Sequence, residues 1–521
     1  MILESFNARD AVFTCTPYII ISIIFLTLGY ELLFHPLNRY PGPLIARFTN
    51  GYAVFYSLKR SFHLVTLKEH IKYGPVFRQG PNKLLFNTTT AYKDIYSNDK
   101  VTKPVIYLSN QATPGSYNIW TAIEKTAHRQ RRRLVGSVVN DRSMRIFEPT
   151  INEQVDIFIK QIALNMERPL DLKDRINYLS MDIIGLLSFG FDLRSQTQEK
   201  YRYFSDDMPD ANSRLNIYMQ VPAIAKYRLF VPLDMLWHKA QEKMYGLIEF
   251  MIKSRMAKAQ NAKYDLYSVI SDALTTEEGE GLRVNDLWME AIFFIVAGGD
   301  TISTAIAATF FYVARHRECY KKLAEEIRST FSSADDICGS KLTGCRYLRA
   351  CIDEAMRMSP PIPSTLWRQL APEHEGKDAL VVDGHVIPTG TYVGVNIYAL
   401  HHNEDYFPDP FVYKPERWLE PNGEEGAPGS RKTMNDAFVP FSNGQRGCAG
   451  KPMAYLETNL AIAKALWYFD FQPAPGELGD VGLSDKGEFR LHGVFVSTHD
   501  GPWLTFSPRD TLYADFPDLK H

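Results

Sequence analysis

The chain has 521 residues, of which 45% are apolar and 23% charged, and its formal net charge is −2. This composition is ordinary for a globular protein with a sizeable core, and the length allows one large domain as well as several average ones. Because there is no domain-scale basic surplus, composition offers no reason to expect a nucleic-acid partner.

The first predicted element is an uncharged apolar stretch, residues 11–30. Twenty helical residues span roughly 30 Å, the hydrocarbon thickness of a bilayer, so residues 1–34 are predicted to form a membrane anchor. A cleavable signal peptide is the alternative, but Glu4, Arg9 and Asp10 precede the stretch and no A-x-A site follows it. Arg39 and Arg47 come after the span, which predicts that the rest of the chain is cytosolic.

After the anchor, Pro36 and the Pro41-Gly42-Pro43 run predict a stiff hinge and lead-in over residues 35–60. Residues 76–78 and 83–86 flank Gly80-Pro81-Asn82 and predict a β-hairpin. Periodic apolar segments such as residues 151–163 and 239–258 predict helices. Residues 284–315 form the longest apolar stretch of the globular part and predict a buried core helix.

Short strands are predicted at residues 380–382 and 391–395, and a surface loop at residues 420–434. Six cysteines show no CxxC pair and no zinc-type spacing, which indicates a reducing compartment rather than a disulfide scaffold. The predicted architecture is mainly α with small β-sheets, in one domain over residues 61–521 behind the anchor.

The core helix carries Ala297-Gly298-Gly299-Asp300-Thr301 in its middle. Each glycine inside a helix costs about 1 kcal/mol relative to alanine, and a buried acid must be paired or neutral. The residues alone leave two interpretations open. The glycines could allow a close helix crossing, or this segment could belong to an active site.

The most informative stretch is Phe441-Ser-Asn-Gly444-Gln-Arg446-Gly-Cys448-Ala-Gly450. Because a helix is predicted to begin just after it, Cys448 would lie at a helix N-terminus, where the dipole and free N–H groups lower a thiol pKa. Arg446 would add positive charge nearby. A buried structural cysteine in a glycine-rich turn is the alternative.

This stretch resembles the haem-binding motif of the cytochrome P450 family, F-x-x-G-x-R-x-C-x-G, at every fixed position. Other segments resemble family motifs in the family's order: an arginine-rich helix, the oxygen-binding helix, E-x-x-R and P-E-R-W. The resemblance implies the following residue roles: Cys448 as axial ligand of the haem iron; Phe441 beside the sulfur; His128, Arg132, Arg368 and Arg446 on the haem propionates; Asp300 and Thr301 in proton delivery during oxygen activation; and Glu354, Arg357 and Arg417 in a buried structural network. His128 stands where the family usually has tryptophan.

The resemblance further implies the cytochrome P450 fold behind a single transmembrane helix and a monooxygenase in the endoplasmic reticulum membrane. Its cofactor would be haem b (iron protoporphyrin IX). Electrons would come from NADPH through a separate NADPH-cytochrome reductase, with cytochrome b5 as a further candidate donor. Its substrate would be a lipophilic small molecule, with fungal secondary metabolism as the expected setting and no nucleic acid as partner.

The basic run at residues 128–133 has two interpretations besides cofactor binding. It could be a solvated helix face, or Arg129, Arg131 and Arg133 could offer a docking face for an acidic reductase. Two other functions remain as alternatives: a rearrangement without oxygen insertion on the same fold, and a non-catalytic haem-binding membrane protein. The presence of Asp300, Thr301 and Cys448 disfavours both. The sequence does not identify the substrate or the position of oxidation.

Overall fold

The fold is taken from a computed structural model, which describes residues 8–111, 115–221, 231–259, 264–268, 284–419, 429–516 and 519. It is mainly helical with small sheets, as the sequence predicts. The α-helices are α1 Ala8–Gly29, α2 Leu44–Phe48, α3 Gly51–Leu58, α4 Phe62–Tyr73, α5 Thr89–Tyr96, α6 Lys125–Val138, α7 Asp141–Ala163, α8 Leu172–Phe189, α9 Tyr203–Asp206, α10 Met208–Gln220, α11 Val231–Met256, α12 Val284–Arg315, α13 Arg317–Thr330, α14 Gly339–Thr343, α15 Arg346–Met358, α16 Ile397–His401, α17 Arg431–Ala437, α18 Lys451–Tyr468 and α19 Asp510–Asp515.

The strands are short and form several two- and three-stranded sheets. They are β1 Val76–Gly80, β2 Lys83–Phe86, β3 Val101–Thr102, β4 Leu170–Asp171, β5 Gln369–Leu370, β6 Leu380–Val382, β7 His385–Ile387, β8 Tyr392–Val395, β9 Phe469–Pro473, β10 Leu491–Val494, β11 Val496–His499 and β12 Trp503–Pro508. Strands β1 and β2 form the predicted antiparallel hairpin, and β8 joins β2 in parallel.

Helix α12 passes through the centre of the globular part and packs along α8 and against α15 and α18. It is long and apolar enough to cross a membrane, but most of it is buried inside the protein. A helix that is apolar on all sides is stable in water only if other elements cover it. The predicted core helix is therefore confirmed, with the expected bounds.

The N-terminal helix differs from α12 in its exposure. The apolar segment Cys15–Phe34 includes the end of α1 and a π-helical turn, Tyr30–Phe34, and none of its apolar window is buried. Its described isoleucine, phenylalanine and leucine side chains face outward. This segment is a candidate membrane span. The division into anchor, hinge and catalytic domain stays a prediction.

One predicted loop is partly wrong. Of the proposed surface loop at residues 420–434, residues 420–428 lie outside the described part of the chain, but Arg431–Ala437 forms helix α17. Ser430 caps this helix, because its side chain accepts a hydrogen bond from the Thr433 N–H. The glycine, proline and charge content of the segment is typical of a loop, so the short capped helix could not be predicted from composition.

Candidate active site

The loop before helix α18 fixes the backbone around Cys448. The Cys448 N–H donates to the Phe441 carbonyl oxygen at 2.7 Å. Gly444 has a φ of +71°, and a Cβ there would lie 2.2 Å from the Tyr96 carbonyl oxygen. Glycine therefore serves a physical need, because only a residue without a side chain lets this loop turn against α5.

The Cys448 thiol is solvent-accessible, yet protein surrounds it closely enough that burial raises its pKa. The N–H groups of Gly450 and Lys451 and the charge of Arg132 act in the opposite direction and lower the pKa. The predicted lowering by the helix N-terminus is therefore present, but burial outweighs it and the thiol pKa is raised. The charges that contribute to the lowering belong to Arg132 and Lys451, not to Arg446 as predicted. A metal ion bound to the sulfur would supply the missing charge and deprotonate it.

The three arginines predicted to bind propionates have carbonyl oxygens as their close partners. Arg446 donates to two of them at 2.8 and 2.6 Å, Arg368 donates to one at 2.9 Å, and Arg132 donates to the Gly447 carbonyl oxygen inside the cysteine loop. In the part of the chain that the structure describes, none of the three forms an ion pair with an acid. Burial and then the charge of Arg368 lower the pKa of Arg446 to about 10.

His128 lies in the same cluster and is buried. Burial lowers its pKa to about 2, with further contributions from the positive charges of Lys103, Arg446, Arg132 and Arg368. The imidazole is therefore neutral at physiological pH and adds a hydrogen-bonding group rather than a charge. Several cations without acidic partners, next to an accessible thiol, fit a group that combines a metal ion with two carboxylates. Haem is such a group.

The acid of the core helix, Asp300, has one close polar partner among residues 8–221, 231–259, 264–268, 284–419 and 429–516 as far as the structure describes them. Asn212 in α10 donates to the Asp300 carboxylate at 2.8 Å. Burial raises the pKa of Asp300 to about 7, although the Asn212 hydrogen bond lowers it somewhat. The Thr301 hydroxyl donates to the Ala297 carbonyl oxygen, one turn earlier, at 2.7 Å.

The two glycines of this motif serve a close helix crossing. A Cβ on Gly298 would lie 2.7 Å from the Ile184 side chain, and one on Gly299 would lie 2.2 Å from the Met181 side chain, both in α8. Helix α12 runs over Val284–Arg315 and so includes the whole motif. Of the two interpretations of the glycines, the close crossing describes their contacts, while Asp300 and Thr301 remain candidate catalytic residues.

The predicted structural network is assembled around Glu354, which is completely buried. Its carboxylate accepts hydrogen bonds from Arg357 at 2.9 and 3.0 Å, from Arg417 at 3.0 Å and from the Trp418 indole at 3.0 Å. Burial acts to raise the pKa of Glu354, but the two guanidinium groups outweigh it and the pKa is lowered. The carboxylate is therefore held in its charged form.

The basic run on α6 divides by side-chain exposure. Arg131 is buried and forms an ion pair with Glu290 at 3.4 Å, so it is not part of a docking face. Arg129 and Arg133 are exposed, as such a face requires. Residues three apart, His128 and Arg131, thus face inward, and residues four apart, Arg129 and Arg133, face outward. The run of like charges in the sequence does not reveal this division.

Sequence reasoning missed two residues that contact the predicted site. Lys103 belongs to the cation cluster around His128, and Asn212 holds Asp300. Asn212 lies 88 positions from its partner, and no local spacing connects the two. Lys103 follows strand β3, and the only sequence signal for it is a lysine between valine, proline and further apolar residues.

Comparison with known proteins gives a consistent result. The model of the family described as Cytochrome P450 matches residues 41–486. The cytochrome P450 monooxygenase poxM of Penicillium oxalicum is 34% identical over 92% of this chain and 91% of its own length. The cytochrome P450 monooxygenase AKT7 of Alternaria alternata is 33% identical over 95% and 97%, and atnE of Emericella nidulans is 32% identical over 92% and 94%.

Proposed function

The chain belongs to the cytochrome P450 family, and on that premise we propose that it is a haem-thiolate monooxygenase that transfers oxygen from O₂ to a lipophilic small molecule. The family implies haem and electrons from a redox partner. The relatives named above are fungal monooxygenases. Their names support the same class of reaction for this chain.

One observation carries the proposal. Arg132, a member of the cation cluster, donates directly to the Gly447 carbonyl oxygen, next to Cys448. The cluster and the accessible thiol are therefore parts of one site. A cofactor with a metal ion at its centre and carboxylates at its edge would contact both.

We assign the roles of the residues accordingly. Bound through the Cys448 thiolate, haem supplies oxygen activation, because the electron-rich sulfur favours O–O cleavage. Arg132, Arg368 and Arg446 bind the propionates and fix the orientation of the ring, with neutral His128 as an additional hydrogen-bonding group. Phe441 packs against Tyr455 with ring centroids 5.2 Å apart, which supports the start of the cysteine loop.

Asp300 and Thr301 are the candidates for proton delivery. A carboxyl group with a pKa of about 7 can hold and release a proton near physiological pH, which general acid catalysis requires. The Thr301 hydroxyl would exchange its contact with the Ala297 carbonyl oxygen for one in the site. Such a hydroxyl both accepts and donates a hydrogen bond, so it can pass a proton on.

The proposal also specifies the type of haem, the source of the electrons and the location of the protein in the cell. We assign haem b as the cofactor, and NADPH as the electron source through a separate reductase, with cytochrome b5 as a second donor. We place the chain in the endoplasmic reticulum membrane as a single-pass protein with a cytosolic catalytic domain. The exposed apolar segment Cys15–Phe34 supports membrane attachment. Fungal secondary metabolism is the proposed setting, supported by the fungal origin of the relatives.

The test is the spectrum of the reduced carbonyl complex of the purified full chain. We expect the strongly red-shifted Soret band that thiolate ligation produces, and its loss in Cys448→Ser. Cys338→Ser is the matched control, since Cys338 is also an accessible thiol but lies outside the site. A red-shifted band that persists in Cys448→Ser would overturn the ligand assignment, and a wild-type protein that binds no haem would overturn the function.

A further inference from the structure

Helix α10 carries three amide side chains on its buried face. Asn212, Asn216 and Gln220 follow one another at intervals of four residues, and each of them is at most 6% exposed. Residues four apart lie on the same side of a helix, one turn above the other. The three amides therefore form a row that faces the interior of the protein, whereas Asp210 on the same helix is exposed.

The two outer amides of this row have partners within the protein. Asn212 donates to the Asp300 carboxylate at 2.8 Å. At the other end, the Gln220 side-chain oxygen accepts a hydrogen bond from the Lys83 ammonium group at 3.2 Å. The row thus begins at the candidate catalytic acid of α12 and ends at strand β2.

Asn216, the middle amide of the row, has no such partner. Its side chain forms no hydrogen bond with any residue that the structure describes, although only 4% of its surface is exposed. Burying an amide without a hydrogen-bond partner costs free energy, and most buried polar groups in proteins therefore have one. An unpaired amide between two paired ones is a candidate ligand-binding group.

Asn216 lies between the candidate catalytic acid and an apolar part of the interior. It is one helical turn, about 6 Å along the axis of α10, from the amide that contacts Asp300. Met219, on the next turn of the same helix, belongs to an apolar cluster that also contains Tyr107 and Phe495. Helix α10 packs against the short helical turn in which Tyr107 lies. A lipophilic molecule held by such apolar side chains and oxidised near Asp300 would have the Asn216 amide as a neighbour.

We propose that Asn216 is a specificity-determining residue, whose amide forms a hydrogen bond with a hydroxyl or carbonyl oxygen of an otherwise lipophilic substrate. This inference rests on the proposed monooxygenase function and narrows its substrate class. An amide carries no charge and has both donors and an acceptor, so it complements neutral oxygen groups. A site that bonds a polar group of its substrate rejects analogues without that group, because its own polar group is then left unpaired.

The chain offers a matched control in Asn459 of helix α18. Asn459 is also buried, with 7% of its surface exposed, and its side-chain oxygen has no hydrogen-bond partner in the described part of the chain. Its helix packs against α7 and α12. Asn459 thus shares the burial and the unpaired oxygen of Asn216 but lies outside the amide row of α10.

The experiment measures the binding of two series of alkylimidazoles to the haem-loaded full chain, by the shift of the Soret band. The imidazole nitrogen coordinates the haem iron, and the alkyl chain ends in a hydroxyl group in one series and in a methyl group in the other. Over one range of chain lengths, we expect the ratio of hydroxyl to methyl affinity to be about tenfold higher in wild type than in Asn216→Leu, because a neutral hydrogen bond is lost. Asn459→Leu should keep the wild-type ratio.

A conservative variant tests the same contact from the other side. Asn216→Gln keeps the amide on a longer side chain, so it should retain the preference for the hydroxyl series but at shorter chain lengths. If Asn216→Leu does not yield haem-loaded protein, Asn216→Ala replaces it. Equal affinity ratios in wild type and Asn216→Leu at every chain length would overturn the proposal, as would an equal fall of the ratio in Asn459→Leu. Failure of the proposed function has a different result, namely that wild type itself lacks the thiolate spectrum.

Discussion

At the residue scale, Asp300 combines a functional position with an energetic cost. Among the residues that the structure describes, its carboxyl group has only the neutral Asn212 side chain as a close polar partner, and burial raises its pKa to about 7. In the unfolded chain the pKa of an aspartate is about 4. The folded state therefore binds the Asp300 proton more tightly than the unfolded state does, and this contribution to stability is lost as the pH rises from about 4 through about 7.

We expect Asp300→Asn to remove this loss of folding stability at higher pH, because asparagine does not titrate. At pH 4 the variant and wild type should differ little in stability. At pH 8 the variant should be more stable by about 1–3 kcal/mol, less than the full pKa difference implies because Asp300 is only half-buried. The same variant should release more peroxide per NADPH consumed, because it lacks the acidic proton. Denaturant unfolding at the two pH values and peroxide assays measure both effects. Equal stability at pH 8 would contradict the raised pKa, and unchanged peroxide release would contradict the proton-delivery role.

Most of the proposed cofactor and catalytic residues could be identified from the sequence because they occur in local motifs of fixed spacing. Cys448 and Arg446 are separated by one residue, and Asp300 and Thr301 are adjacent. The thiol pKa could not be predicted, because burial depends on the whole fold and here outweighs the local helix N-terminus. Lys103 was missed for the same reason, since its importance comes from distant neighbours.

At the scale of elements, Glu354 connects helix α15 to the segment that contains Arg417. The carboxylate and both guanidinium groups are buried. Removal of one member of a buried charge network leaves the others uncompensated and costs about 3–5 kcal/mol. The total stability of a domain is only about 5–15 kcal/mol.

We therefore expect Glu354→Gln to lose most of its haem-loaded protein, measured as the ratio of Soret to protein absorbance, and to unfold at a markedly lower temperature. Glu318→Gln is a matched control, because Glu318 contacts Lys321 with the same spacing of three residues at 2.7 Å, but both side chains are exposed. An exposed pair contributes about 0–1 kcal/mol. If the two variants were equally stable, the buried network would not be the support that its geometry indicates.

The elements themselves were largely predictable. Helix α12 has the predicted bounds because a long apolar stretch in a globular chain must be buried as one helix, and the β1–β2 hairpin forms at the predicted Gly80-Pro81-Asn82 turn. Helix α17 was missed because five of its seven residues carry polar or charged side chains, and its stability depends on a cap and on the burial of Met434. Contacts between elements, such as the packing of Gly298 on α8, require the tertiary structure.

At the scale of the whole molecule, an ion pair with a buried cation connects the candidate anchor to the globular part. Arg78 in β1 is completely buried and donates to Glu31, in the π-helical turn after α1, at 2.6 Å. The same guanidinium group donates to the Pro81 carbonyl oxygen at 2.7 Å. The globular part thus contains a charge whose partner lies within the apolar segment Cys15–Phe34.

This arrangement predicts different results for two truncations. Removal of residues 1–28 or of residues 1–34 should release the protein from membranes in alkaline carbonate, whereas the full chain should resist extraction, because about twenty exposed apolar residues insert into the bilayer. Only the longer truncation removes Glu31, so it alone should leave Arg78 buried without a counter-ion and lower the stability by about 3–5 kcal/mol. Glu31→Gln in the shorter truncation should reproduce most of this loss. If the protein expressed from the untruncated sequence is extracted by carbonate, or if its mass shows cleavage after the apolar stretch, the result would support the signal-peptide alternative. Equal stability of the two truncations would show that Glu31 does not stabilise Arg78.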